Sequence, residues 1–306
     1  MPNIDREAPT DSLVSPSVWQ RNEEGSRPKL FWRVAIVFVG VVVIWQFVVE
    51  GIGSLFGPAY SDRVGHTVRA VAISMLVIPL IVLARRYLDR RPWDGLRLTS
   101  LRVGWRAAVF GAMSWLVAAG FGLVLTLSLS WARIEVGAPS TEIVLLAMYL
   151  PLLVFLYEAL PEELIFRGYF YRNLAARYAR WLSVLMQAAL FTLWATAIGA
   201  AGSVDRLILF FTFSVVLGIL RVTTGNLWAS IGFYLACQWV TQLYSAAIRE
   251  GSLQVQAQPT LELVVFWFFP MVLGSLALIV ESALRKSARW RDSDLDPPST
   301  ATGTLL

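Results

Sequence analysis

The run VAIVFVGVVVIWQFVVE at residues 34–50 decides the fold, because no charged side chain interrupts it before Glu50. A membrane-spanning helix needs about 20 mainly apolar residues to cross a hydrocarbon core about 30 Å thick. A strand of a membrane barrel would instead alternate apolar and polar residues over a shorter segment. The run therefore predicts a membrane-spanning helix.

Similar runs recur along the chain, which is 57% hydrophobic and 15% charged, with a mean hydropathy of +0.60. These values lie far from those of soluble globular proteins. We predict eight spans, at residues 31–56, 66–84, 105–131, 142–160, 181–200, 206–221, 227–247 and 261–281. The predicted fold class is all-α, a polytopic membrane protein with about eight transmembrane helices.

The ends of the chain differ from this apolar middle. Residues 1–30 are polar and rich in Pro and Ser, which predicts a flexible cytoplasmic N-tail without a cleavable signal peptide. Residues 31–285 form the predicted transmembrane domain, and residues 286–306 a flexible cytoplasmic C-tail. Cys237 is the only cysteine, which excludes an intrachain disulfide.

The basic residues predict the orientation. On the predicted topology, 21 of the 26 arginines and lysines lie on one side, including the run RRYLDRR at 85–91, which we interpret as a topology determinant. Both termini are therefore predicted to be cytoplasmic. The positive-inside rule accounts for the net charge of +5, so no nucleic-acid partner is expected, and the predicted partner is the lipid bilayer.

Charged residues interrupt the apolar pattern in LYEALPEELIFRGYFYRN at 156–173. Pro161 predicts a kink or a helix restart, after which Glu163 and Arg167 have the i,i+4 spacing of an ion pair. Glu162 then lies on a neighbouring face, free to face a cavity and act on water. The alternative, in which these charges merely meet lipid headgroups at a membrane interface, stays open.

The pattern Glu162-Glu163-x-x-x-Arg167 continues through LFTLWATAIG at 190–199 and FFTFSVVLGILRVTTGNLWASIGFYLACQW at 210–239. Together these stretches resemble the CAAX prenyl protease and bacteriocin-processing family of intramembrane metalloproteases, also called the Abi family, over about residues 142–247. The resemblance implies a helical core around a cavity, in which a glutamate and two histidines activate water for peptide hydrolysis. It also implies that Glu162 is the acid/base, Glu163 its partner and Arg167 the orienting residue, in a bacterial or archaeal plasma (inner) membrane.

The chain departs from the family pattern at both histidines. Ala195 stands four residues after Phe191 where the family has histidine, and Tyr234 and Gln238 occupy the positions of the third motif. The only histidine, His66, is predicted at the opposite side of the membrane. We therefore expect no cofactor, and the family metal, zinc, is not expected to bind well.

These departures favour a catalytically impaired homologue, a pseudoenzyme that binds or scaffolds a membrane protein or a lipidated or hydrophobic peptide. Tyr234 and Gln238 would then fill the histidine volume and donate hydrogen bonds to the glutamates. Two alternatives stay open. One is an active intramembrane endopeptidase in which Glu162 is the general base and Gln238 and Tyr234 stabilise the oxyanion. The other is a transporter or lipid-handling protein.

A last pattern concerns helix packing. Small residues recur in GAMSWLVAAGFG at 111–122, inside the third predicted span. Small residues let two helix backbones approach closely in a membrane. The pattern predicts a close helix contact but does not identify the partner helix.

Overall fold

The computed structural model describes residues 27–51, 54, 63–284 and 290–292, so most of both predicted tails lies outside the described residues. The described chain contains eight longer helices, a short 3-10 helix at Trp93–Leu96 between the second and the third of them, and two short strands. In chain order they are α1 (Leu30–Gln46, followed by a π-helical turn Phe47–Gly51), α2 (Arg63–Leu83, continued by the π-helical Ala84–Asp89), α3 (Leu101–Ser128), β1 (Arg133–Val136), α4 (Thr141–Ala175), α5 (Arg180–Ala197), α6 (Val204–Thr224), α7 (Leu227–Arg249), β2 (Leu253–Gln256) and α8 (Gln258–Leu261, Glu262–Leu273 and Gly274–Leu284 without a break).

Five of these helical segments are long and apolar enough to cross a membrane, and the shorter α1 is also apolar. The five segments are Val64–Asp89, Trp93–Ser128, Thr141–Ala175, Val204–Thr224 and Gln258–Val280. The fold is a polytopic helical membrane protein, which confirms the predicted class. Helices α5 and α7 are not among the five, and both carry candidate site residues.

Successive helices run in opposite directions, so the bundle has two distinct ends. The arginine-rich end holds the start of α1, the end of α2 and the end of α4, where Arg33 and Asn173 meet Asp89. At the other end, β1 pairs with β2 in an antiparallel ribbon in which Ile134 lies opposite Val255. This ribbon is the one departure from the predicted all-α fold among the described residues.

Local sequence signals set the turn between α6 and α7. Gly225 ends α6 in the left-handed region at φ 65°, a conformation that glycine adopts without steric cost. Asn226 then begins α7, because its side chain accepts a hydrogen bond from the backbone N–H of Trp228. The Trp228 indole donates to the carbonyl oxygen of Thr99 at 2.7 Å, which fixes α7 beside the start of α3.

Helix α7 lies in the interior, where it packs against α3, α4 and α6. The closest approach is to α3, at two glycines. A Cβ atom added to Gly111 would overlap the carbonyl oxygen of Ala229, and one added to Gly232 would overlap that of Ala108. Gly111 therefore packs against α7, whereas Gly122, at the other end of the predicted stretch, lies against Phe269 of α8.

A buried carboxylate joins three elements at the arginine-rich end. Asp89 forms ion pairs with Arg33 at 3.0 Å and Arg85 at 3.1 Å. It also accepts hydrogen bonds from the Asn173 amide at 2.9 Å and the Tyr169 hydroxyl at 3.2 Å. Asp89 therefore connects α1, α2 and α4, a role that the interpretation of RRYLDRR as a topology determinant missed.

Candidate functional site

Helix α4 carries the candidate motif in its interior. The predicted span ended at 160, and a kink or a restart was expected at Pro161. The predicted end and the restart are wrong, because the helix continues unbroken from Thr141 to Ala175. The stretch Leu160–Glu163 lies between π-helical stretches at Phe155–Ala159 and Leu164–Phe170, and this widened backbone accommodates the proline. Glu162 consequently lies in the interior of the helix, about 20 Å along it from Ala175.

Glu162 is almost fully buried, with 4% of its surface exposed. Its Oε2 accepts a hydrogen bond from the Tyr234 hydroxyl of α7 at 2.8 Å. The predicted meeting of these two residues is confirmed. Glu162 is not among the side chains that line the cavity beside Glu158.

Glu163 and Arg167 form the ion pair that their spacing predicts. The Arg167 Nη1 lies 2.8 Å from Glu163 Oε1, and both side chains are fully buried. The guanidinium also stacks over the ring of Phe191 in α5, 4.7 Å from the ring centroid. This cation–π contact adds to the ion pair in holding α5 against α4.

Gln238 was expected beside Glu162, but it contacts Glu158, one helical turn earlier on α4. Its amide donates to Glu158 Oε2 at 2.7 Å, and Gln242 donates to Glu158 Oε1 at 3.1 Å. The physical reason is that α4 and α7 are antiparallel. Since Tyr234 pairs with Glu162, the residue four positions later on α7 meets the residue four positions earlier on α4.

Glu158 is the acid that faces a cavity, although it was not among the predicted site residues. The cavity has a volume of about 120 Å³, and its lining includes Glu158, Gln242, Tyr157 and His66. It follows α4 away from the motif toward the ribbon end, and His66 lies near the start of α2. The sequence signal was available, since Glu158 precedes Glu162 by one turn on the same face.

The two missing histidines leave no set of metal ligands. Ala195 is buried in α5 and presents only a methyl group, while the Tyr234 phenol is engaged with Glu162. Among the described residues, no three His, Cys, Asp or Glu side chains converge where they could hold a metal. The side chains that are present do not fit the zinc ion that the family resemblance implies.

The bond between Tyr234 and Glu162 makes a testable contribution to stability. A buried hydrogen bond to a carboxylate contributes about 1.5–3 kcal/mol, so Tyr234→Phe should lower the unfolding free energy by about that amount. Thermal unfolding of the detergent-solubilised protein measures the change. Tyr87→Phe removes the same hydroxyl from an exposed ring and should have almost no effect. Equal effects of the two changes would contradict the assignment.

The fold and the site together define a class: a polytopic helical membrane protein with a cluster of buried carboxylates between three helices. Within it, residues 144–240 match the family model described as Type II CAAX prenyl endopeptidase Rce1-like. The match extends from α4 into α7, and it confirms the resemblance predicted from the motif. Neither the curated proteins nor the solved structures gave a match to this chain.

Proposed function

We propose that this protein keeps a CAAX-protease-like core but does not hydrolyse peptides at the Glu162 position, and that it binds or scaffolds lipidated or hydrophobic polypeptides. The observation that carries the proposal is the burial of Glu162 together with its hydrogen bond to Tyr234, which stands at a histidine position. The ligand class comes from the matched family, whose description names prenyl endopeptidases.

The chemistry of the site supports the loss of hydrolysis. A general base must reach a water molecule, but one oxygen of Glu162 is bonded to Tyr234 and the side chain does not line the described cavity. The Tyr234 hydroxyl donates to that carboxylate, so it is not available to an oxyanion. Each missing histidine removes a group commonly worth a factor of roughly 100 in rate.

A structural role explains why the charged residues are retained. Glu162 connects α4 to α7 through Tyr234, and Arg167 connects α4 to α5 through Phe191. A buried carboxylate or guanidinium without a partner is strongly unfavourable in a membrane protein. The residues of the motif can therefore be required for the fold in a chain that has lost the chemistry.

The proposed location is a plasma membrane with both termini on the cytoplasmic side. Arginines concentrate at the end of the bundle where α1 begins and α4 ends, and basic residues favour the cytoplasmic side. The core would thus be oriented to receive a polypeptide attached to the inner leaflet.

The decisive experiment measures peptidase activity and bound metal on the purified full-length protein. A farnesylated peptide ending in a CAAX sequence is the substrate. We expect wild type and Glu162→Ala to be equally inactive, and wild type to contain no stoichiometric zinc by mass spectrometry. The double variant Ala195→His/Tyr234→His tests whether the fold can regain zinc. Cleavage by wild type that Glu162→Ala abolishes would overturn the proposal.

Binding is measured separately from cleavage. Fluorescence anisotropy with the same farnesylated peptide should show saturable binding without hydrolysis, and the peptide without the farnesyl group should bind more weakly. Equal binding of both peptides would contradict a role in recognising lipidated polypeptides. It would leave the conclusion on hydrolysis unchanged.

A second candidate function rests on Glu158. This carboxylate faces the cavity and has two glutamine amides beside it, an arrangement that could position water for hydrolysis. An endopeptidase of this kind would lose activity with Glu158→Gln and not with Glu162→Ala. The same peptide assay therefore separates the two functions.

A further inference from the structure

The antiparallel ribbon of β1 and β2 has one apolar face and one polar face. Residues that lie opposite each other in the ribbon point to the same face, and neighbours along a strand point to opposite faces. Ile134 and Val255 pack against the hydrophobic core, so their face is turned toward the bundle. The other face carries exposed polar side chains on both strands: Arg133, Glu135, Gln254 and Gln256. The ribbon therefore covers the core with one face and presents polar groups with the other.

The backbone hydrogen bonds of the ribbon leave the outer edge of β1, which faces away from β2, open. Gly137 donates to the carbonyl oxygen of Ser252 at 3.0 Å, and hydrogen-bonded pairs alternate along an antiparallel ladder. With the observed register, Ile134 and Val136 therefore direct their N–H and C=O groups away from β2. None of the described residues forms a hydrogen bond with these outward groups.

The position of β1 makes this edge accessible to another strand. Because β2 packs beside α7, β1 is the outer strand of the ribbon. Val136 is 78% exposed at the end of the edge. No proline or bulge interrupts the four paired residues of β1, and these are features that commonly protect a strand edge from pairing. An open edge of this kind is a template for a further strand.

The charges of β1 indicate that the further strand is β1 of a second copy. When an edge pairs with its own copy across a two-fold axis, an antiparallel arrangement lets the two strands exchange hydrogen bonds reciprocally. A pair centred on Ile134 places Arg133 opposite Glu135 of the second copy, and the same contact recurs on the other side of the axis. These are non-hydrogen-bonded positions, where opposite side chains are closest and opposite charges are favourable.

Other registers of the same edge lack this complementarity. A pair centred on Glu135 would place two glutamates opposite each other, and like charges in that position are destabilising. A pair centred on Val136 would place Gly137 and Pro139 opposite the two charged residues of β1. Within the part of the chain that the structure describes, neither Arg133 nor Glu135 has an ion-pair partner. Both charges are therefore available to a second copy.

We propose that the outer edge of β1 pairs with the same edge of a second copy, in an antiparallel register centred on Ile134. The two ribbons would then form one four-stranded sheet across a dimer. Copies that have the same orientation in one bilayer hold their ribbons at the same end, so the two edges meet at the same level. The surface lies outside the carboxylate cluster, and the inference does not depend on the function proposed for that cluster.

Disulfide crosslinking in the membranes of expressing cells tests the register. Ile134 would lie opposite its own copy, with the Cα atoms about 5.5 Å apart, a separation that a disulfide can bridge. We expect Ile134→Cys to give a crosslinked dimer under mild oxidation. Val136→Cys is the matched control and should give none, because the two copies of this residue would lie roughly 14 Å apart. Both variants carry Cys237→Ala, which removes the natural cysteine.

Exchange of charges tests the partner without disturbing the core, because Arg133 and Glu135 are both exposed. Energy transfer between donor-labelled and acceptor-labelled copies of the full-length protein in liposomes measures dimerisation. Arg133→Glu and Glu135→Arg should each weaken dimerisation on the order of ten-fold, since each creates two like-charge contacts. The double variant Arg133→Glu/Glu135→Arg restores the opposite charges and should dimerise like the wild type. Arg206→Glu makes the same change at an exposed position of α6 and should have little effect.

Several outcomes would overturn the proposal. One is a wild-type protein that stays monomeric in liposomes, and another is a double variant that dimerises no better than the single variants. Equal losses from Arg133→Glu and Arg206→Glu would show that only the net charge matters. A dimer crosslinked through Val136→Cys in place of Ile134→Cys would contradict the register. A crosslink from Ile134→Cys to a different polypeptide would mean that the edge receives a strand from another protein.

Discussion

Gly111→Ala is expected to destabilise the protein by about 3 kcal/mol, the upper end of the usual cost of overpacking. The added methyl group would overlap the backbone carbonyl oxygen of Ala229, which cannot move unless α3 and α7 separate. Gly232→Ala would produce the reciprocal overlap with Ala108 and should have a similar effect. Thermal unfolding of the solubilised protein, followed by tryptophan fluorescence, measures both changes.

Helix propensity alone would predict the opposite effect, since alanine is favoured over glycine in a helix interior by about 1 kcal/mol. Gly120 provides the matched control, because it lies in the same helix and a Cβ atom added there meets no atom within 4 Å. Gly120→Ala should therefore be neutral or stabilising. If Gly111→Ala behaved like Gly120→Ala, the close crossing of α3 and α7 would be wrong.

Sequence reasoning succeeded where the interaction is local. Each of the eight predicted spans corresponds to a helix of the described chain, because continuous apolar runs are a strong signal for helices in membranes. The ion pair between Glu163 and Arg167 was also predictable, since one helical turn fixes the distance between the two residues.

Reasoning from the sequence failed where two distant segments meet. Spacing along α7 cannot show whether Gln238 reaches Glu158 or Glu162, because the answer depends on the relative register of two antiparallel helices. The same limit applies to Asp89, whose partners Arg33 and Asn173 lie 56 and 84 residues away from it along the chain. Nothing in RRYLDRR alone distinguishes this buried aspartate from an exposed one.

The length of α4 was missed for a different reason. Proline usually ends or kinks a helix, because it lacks an N–H group and its ring collides with the preceding turn. In α4 the turns on both sides of Pro161 widen into π-helical stretches, and the helix continues. This adjustment depends on the packing around the helix, which the local sequence does not show.

Glu163→Gln is expected to destabilise the protein by about 3–5 kcal/mol, since it removes the ion-pair partner of the fully buried Arg167. Arg167→Met should have a comparable effect, because it removes the ion-pair partner of the buried carboxylate instead. The double variant Glu163→Gln/Arg167→Met removes both charges and should regain much of the lost stability. Thermal unfolding of the three variants and the wild type measures the coupling energy. Arg106→Met, at an exposed position of α3, controls for loss of an arginine.

The size of this coupling bears directly on why the motif persists without its histidines. A large coupling means that each residue is needed mainly because the other is buried beside it. Selection for folding alone would then keep both, whether or not the protein cleaves a peptide. The opposite outcome is that the single variants unfold with nearly the wild-type free energy and the double variant regains no stability. Stability would then not explain why Glu163 and Arg167 are both present. A functional demand on Glu163 and Arg167 would then have to be sought in what the protein binds.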